Sequence, residues 1–248
     1  MSLRRIACSF HRARASSRAP LQAQVEARIE SRTSAPERRE ARPWALWLGA
    51  LLFGGMLGGC SLLPEAQSIA LYAPQPQIAQ DAAWPQAQWQ LLIPRPYADA
   101  TLDSERILVR PQPGALQVYK GAAWTQSAPD VVHDAMLRGF GDSGRLAGVA
   151  RRGEGVAAGY ELLLDLRRFE SDYGGGSAPS ARIELGARLV RSADDNIVAT
   201  RVFAVTTPAQ SADIAQVAQA FERGLSDLGA QVIGWTLRAG EDDRAARR

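Results

Sequence analysis

Cysteine, histidine and lysine are nearly missing from this sequence. Among its 248 residues only Cys8 and Cys60 are cysteine, only His11 and His133 are histidine, and only Lys120 is lysine. If a leader ending at Gly59 is removed, Cys60 is left without an intramolecular partner, which excludes a disulfide framework. His133 alone cannot form a histidine cluster with metal-ligand spacing. Lys120 lies outside any Gly-Lys-Ser/Thr, so a phosphate-binding loop is excluded as well. Long apolar runs are also absent. The most apolar stretch, Trp44 to Gly59, has 16 uncharged residues, short of the roughly 20 that span a bilayer as a permanent helix.

Charge of a single sign is missing once the chain is divided. The whole sequence carries a formal +3 and a pI near 9.2, which would suggest nucleic acid. Residues 1–59, however, hold ten arginines and four glutamates, leaving 19 basic and 22 acidic residues from Cys60 onward. The basic bias belongs to the leader, and no nucleic-acid partner is expected. The 189 residues from Cys60 are enough for one ordinary core.

What is present begins with that leader. Arg38, Arg39 and Arg42 precede the apolar run, as a positive n-region precedes the h-region of a signal peptide. Leu57-Gly58-Gly59-Cys60 resembles the lipobox of bacterial lipoproteins. The resemblance implies that Leu57, Gly58 and Gly59 are read by the signal peptidase and that the Cys60 thiol is the lipid attachment site, with palmitate among its acyl chains. Several buried chains at about 0.8 kcal/mol per CH₂ hold such a protein in a bilayer, where a single chain would not. Ser61, which is not Asp, implies sorting to the outer membrane, periplasm-facing, with inner-membrane retention as the alternative. Residues 1–43 are long for an n-region. A start codon set too far upstream, a long n-region and a second targeting signal all remain open.

The expected organisation is a signal peptide with a long N-terminal extension over 1–59, a lipidated tether over 60–67, one domain over 68–239 and a loose charged tail over 240–248. Pro74, Pro76 and Pro85 mark an extended connection from Pro74 to Pro85. Strand-like runs are expected at Ser68–Tyr72, Gln88–Ile93, Arg106–Arg110 and Leu116–Lys120. Ser127-Ala128-Pro129-Asp130 has the form of a capping box with Ser127 accepting from first-turn amides. The helix it opens, with Val132, Ala135, Met136 and Phe140 at core spacing, is expected to stop at Gly139, Gly141 and Gly144. Leu146–Ala150, Tyr160–Tyr173, Ala181–Arg191 and Ile197–Thr207 are expected to be antiparallel strands. Ile214, Val217, Phe221, Leu225, Leu228, Val232 and Trp235 form one face of a last long helix opened by Ser211 and Asp213. The fold class is therefore α+β: a mixed, largely antiparallel sheet covered on one face by two helices.

Two enzyme signatures overlap at residues 139–144. Gly139-Phe140-Gly141-Asp142-Ser143-Gly144 matches a dinucleotide fingerprint, but that motif needs a strand before it and a helix after it, and here the order is reversed. Gly141-Asp142-Ser143-Gly144 resembles the surroundings of a protease serine, yet His133 belongs to the same helix rather than to a distant base position. Asp165, Glu170 and Asp172 stand among Arg167 and Arg168, which suggests a solvated, charge-balanced strand face. No catalytic set, metal or cofactor other than the lipid on Cys60 is expected, and the chain is read as a non-enzyme.

Longer runs carry a family resemblance. Trp89-Gln90-Leu91-Leu92-Ile93, then Leu102-Asp103-Ser104-Glu105-Arg106-Ile107-Leu108-Val109, then Gly121 to Trp124 and Ala128-Pro129 are similar to the ABC-type transport auxiliary lipoproteins, the PqiC-like family. Tyr160-Glu161-Leu162 to Leu166-Arg167-Arg168-Phe169-Glu170 resembles the family's central strand, and Ala220-Phe221 to Trp235 its last helix. The resemblance implies a non-catalytic lipoprotein that accompanies an MCE-domain protein and inner-membrane transporter subunits in moving membrane lipid between two membranes, with a homo-oligomer also open. Trp124 and Tyr173 are the candidate partner contacts. Trp124 also has a structural reading, packing at the first helix, while Arg106 would pair with a nearby acid and Phe169 would sit in the core. Two rival functions stand beside this one: an outer-membrane regulator of cell-wall synthesis and an envelope hydrolase.

Overall fold

The computed structural model describes residues 68–248. Its centre is one strand, β7 (Tyr160–Asp172), which buries Tyr160, Leu162, Leu164 and Leu166 on one face by simple alternation. A bulge between Leu166 and Arg168 breaks the alternation. The extra residue explains why Arg167 and Arg168 are both exposed, and it moves Phe169 onto the buried face in place of position 168.

One edge of β7 pairs antiparallel along its whole length with β8 (Ser180–Arg191), and β8 with β9 (Asn196–Pro208). Gly174 and Gly175, both with positive φ, make the first of these turns. Asp195, the one non-glycine with positive φ among the described residues, makes the second, where Asp194 accepts from Asn196.

The other edge of β7 is served in succession by three short parallel strands: β2 (Gln90–Ile93), β3 (Tyr97–Ala98) and β4 (Arg106–Arg110). Outside them lie β6 (Gly148–Arg151) parallel to β2, β5 (Gln117–Trp124) antiparallel to β4, and β1 (Ala70–Tyr72) parallel to β5. The sheet is mixed, with its longest pairings antiparallel. The antiparallel expectation fails for β6. A helix, α1 (Ala128–Ser143), carries the chain back across the sheet before β6 begins, and such a crossover delivers a strand parallel to its neighbour.

Both helices cover one face. α1 packs on β2 and β6, and α2 (Ile214–Ala246) packs on β7, β8 and β9. α1 begins where expected, but Ser127 caps no backbone amide. Its hydroxyl donates instead to Asp130 and accepts from Arg95 Nη2 at 2.8 Å, because Arg95 draws Asp103, Ser127 and Asp130 into one cluster. Arg95's hydrogen bond holds the Asp130 carboxyl below the usual carboxylate range against the opposing effect of burial.

α1 also runs past Gly139 and Gly141 and stops only at Gly144, which takes the left-handed conformation. The expected loose tail is helix too: α2 continues to Ala246. Asp243 accepts from Tyr160 Oη at 2.7 Å and pairs with Arg191, which ties the last turns to the sheet.

The proline-rich connection is extended, as read, and it is also packed. Tyr72, Pro74, Pro76 and Ile78 are half-buried while the residues between them are exposed, so one side of the strand-like strap lies on the helices. Ile78 enters a slot walled by Gly139 of α1 and Gly229 of α2, and a Cβ on either glycine would collide with its Cδ1. Farther along, Trp84 Nε1 would lie 2.6 Å from a Cβ on Gly234, and the Trp89 ring closes over Gly240. Three glycines of α2 thus receive three large side chains, Ile78 and Trp84 of the strap and Trp89 just before β2, in the same order along both segments.

Candidate functional site

Cys60 and its neighbours Leu57, Gly58 and Gly59 lie outside the described residues, as do the whole leader and the tether. The candidate site is the surface of the folded domain.

Trp124 is fully buried. Its ring meets Phe169 edge-on at 5.7 Å and Phe221 at 5.1 Å, and those two rings lie 4.6 Å apart. β5, β7 and α2 each contribute one member, so the trio joins sheet to helix. The structural reading of Trp124 and Phe169 is the one the geometry supports, and Trp124 is removed from the candidate contacts because no partner reaches it without opening the core.

Tyr173 is half-buried at the end of β7, where its amide donates to Arg110 O at 3.1 Å. The exposed turn Gly174 to Ala178 follows it. Arg106, expected to pair with an acid, is exposed and makes no ion pair among the described residues.

The carboxylates of β7 depart from a solvated face. Glu170 and Asp172 are 4% and 9% exposed. Arg110 donates to both oxygens of Glu170, at 2.9 and 2.8 Å, as a fork matched to a carboxylate. Burial would raise the Asp172 carboxyl, but the Gly174 amide and Arg182, at 2.7 Å, outweigh it and hold Asp172 low. Charge balance was legible in the spacing. Burial was not, since Arg110 and Arg182 come from other strands to cover these acids.

His133 and Ser143 serve the fold. His133 is buried, with Nε2 2.8 Å from Ile93 O. Ser143 donates to Phe140 O at 2.6 Å. Ten residues apart on one helix, they stand roughly 15 Å from each other, far beyond the reach of proton transfer. Among the described residues no group of three or more His, Cys, Asp or Glu side chains is arranged to hold a metal ion. No helix among them is long and apolar enough to cross a membrane.

The sheet face opposite the helices is covered by no helix among the described residues. Registers across β1, β5 and β4 set Leu71, Ala123 and Arg106 side by side in one row of this face. The next row holds Val118 and Leu108 beside Glu170. A furrow of about 640 Å³ runs there, lined by Arg106, Leu108, Leu116 and Val118. Sequence reasoning missed this furrow because its residues on the two strands are 8 to 12 positions apart and meet only through strand pairing.

Comparison with known proteins agrees with the architecture. The profile of the family described as the ABC-type transport auxiliary lipoprotein component matches residues 70–233. The crystal structure of protein XCC0632 from Xanthomonas campestris is similar at 48% identity and a TM-score of 0.69, covering 71% of this chain and 99% of that one. A second crystal structure, of an uncharacterized protein, shares the fold at 10% identity and a TM-score of 0.53, covering 67% of this chain and 97% of that one. An uncharacterized protein of Bradyrhizobium diazoefficiens is 29% identical over 154 residues, which is 60% of this chain and 40% of that protein's length. With this fold and a family match over most of its length, the chain belongs to the ABC-type transport auxiliary lipoprotein family.

Proposed function

We propose that this protein is a non-catalytic lipoprotein, anchored through Cys60 and facing the periplasm from the outer membrane, that serves an MCE-type ABC system moving lipid between membranes. The observation that carries the reading is the family match over residues 70–233 directly behind a Leu-Gly-Gly-Cys lipobox. A protein of this kind acts by contact, since neither a nucleotide motif nor a catalytic set can be assembled from its sequence. No cofactor beyond the lipid on Cys60 is part of this reading. Its partners are an MCE-domain protein and inner-membrane transporter subunits. A lipid path between them has to be lined by apolar surface, because exposing acyl chains to water costs about 25 cal/mol per Å².

With Trp124 in the core, Tyr173 and the turn that follows it are the contact candidates that remain at the surface. Photo-crosslinkers placed along residues 173–180 are expected to capture an MCE-domain protein from intact envelopes. Capture of a peptidoglycan synthase with no MCE subunit would replace this reading with that of a cell-wall regulator.

A further inference from the structure

We propose that the β1 end of the open sheet face docks on the phospholipid surface that holds the acyl chains, so that the domain lies against the bilayer instead of hanging from it. The inference rests on the acylation of Cys60 proposed above.

Three observations meet at this place. First, the surface is apolar: Ile69 and Leu71 are 63% and 64% exposed, and Leu116, just before neighbouring β5, and Val118 on it are 42% and 40% exposed. Alternation on β1 puts Ile69 on the same face as Leu71, in whose row Arg106 lies. Secondly, the cations around it are uncommitted. Arg106 and Lys120 are exposed, and neither makes an ion pair among the described residues. Lys120 precedes Gly121, which stands beside the Ser68 carbonyl at the entry to β1. Elsewhere on this face Arg110 is matched with Glu170 and Arg182 with Asp172, while Arg188, across from Leu163 on β8 and away from the exposed apolar residues of β1, is the other exposed arginine without an ion pair among the described residues. Apolar side chains rimmed by free cations are the pattern of an interfacial contact with anionic headgroups.

The third observation is length, and it selects the occupant. Seven residues separate Cys60 from Ser68, eight Cα-to-Cα steps and so a contour of roughly 28 Å at about 3.5 Å per step. A domain of this size is about 40 Å across. The tether is therefore shorter than the domain is wide, so the chain entry at Ser68 is held near the bilayer and the far side of the domain is held away from it. Ile69 and Leu71 are the first two large apolar side chains after that entry.

The test uses the acylated protein in vesicles of phosphatidylethanolamine and phosphatidylglycerol. After acylation the mature chain has no free thiol, so Leu71→Cys takes an environment-sensitive fluorophore at one site, and Val202→Cys on the opposite edge strand is the control. The expected result is blue-shifted emission at position 71, quenched by brominated lipid, with position 202 unchanged. The double variant Arg106→Glu, Lys120→Glu should lose most of that quenching while still floating with the vesicles.

Protein that floats with the vesicles while the probe at 71 reads water overturns the docking and leaves the anchor standing. A chain that does not float overturns both. A blue shift that needs no vesicles and grows with protein concentration assigns the patch to a second copy, and one that appears only on adding an MCE domain assigns it to that partner. Either outcome overturns the proposal.

Discussion

Ile78 occupies the space that a side chain at Gly229 would need. The strap bearing Ile78 reaches α2 only because position 229 lacks a Cβ, and Gly139 gives the same clearance from α1. Gly229→Ala is therefore expected to destabilise the protein by about 1–3 kcal/mol, the usual cost of overfilling a packed core, read as a lower midpoint in urea. Gly141→Ala is the control. Its Cβ would meet only Val149 at 3.8 Å, and replacing a glycine in the last helical turn gains at most about 0.5–1 kcal/mol.

Glu170 and Asp165 test what burial does to an ion pair on one strand. Glu170→Gln leaves Arg110 without its carboxylate in a site where the glutamate side chain is 6% exposed, and a loss of about 1–3 kcal/mol is expected. Asp165→Asn breaks an exposed pair with Arg167, which is worth less than about 1 kcal/mol. Chemical denaturation of the two variants side by side checks the difference.

The Asp243 cluster predicts how stability follows pH. Arg191's hydrogen bond, with help from Tyr160 and against burial, holds the Asp243 carboxyl below its ordinary value of 3.8. Its contribution is present above that ordinary value and is lost as pH falls through the lower folded value. Asp243→Asn should lower the melting temperature at neutral pH and flatten its fall below about pH 4. Burial, then Asp243, raises the Tyr160 hydroxyl above its ordinary 10.0. That contribution is complete below pH 10 and declines as pH rises toward the folded value, so Tyr160→Phe should flatten the alkaline limb. Melting curves across pH check both limbs.

Cys60→Ala is expected to abolish metabolic palmitate labelling and to leave an unprocessed precursor. Equal labelling of wild type and variant would overturn the lipobox reading. Ser143→Ala, which removes only a helix-end hydroxyl, is expected to leave labelling, folding and envelope function unchanged.

The sequence by itself determined the long elements and their core faces, though not the two-residue strand β3. Alternation along β7 and β8, the 3-4 spacing of α2 and the turn residues at 174–176 and 194–196 each reflect a local rule that acts over a few residues, and the α+β class follows from their order. Ile78 could be read as part of an extended connection, because prolines dictate extension locally. That it is a peg between Gly139 and Gly229 could not be read, since those partners lie about 60 and 150 residues away.

The same limit explains the other departures. The glycines Gly139, Gly141 and Gly144 together mark the end of α1, and glycine propensity alone does not say which of them stops it; Gly139 stays helical where it packs against Ile78 of the strap, and the stop falls at Gly144. Residues 240–248 read as a loose charged tail because nothing local ties Asp243 to a core, and only the fold brings Arg191 and Tyr160 to it. Trp124 could be a contact or a core residue by composition alone, and the meeting of β5, β7 and α2 decided for the core. Tertiary structure decided which charges are buried, which glycines are occupied and which aromatics are hidden, because each depends on pairing distant segments, and local propensity carries no information about such pairs.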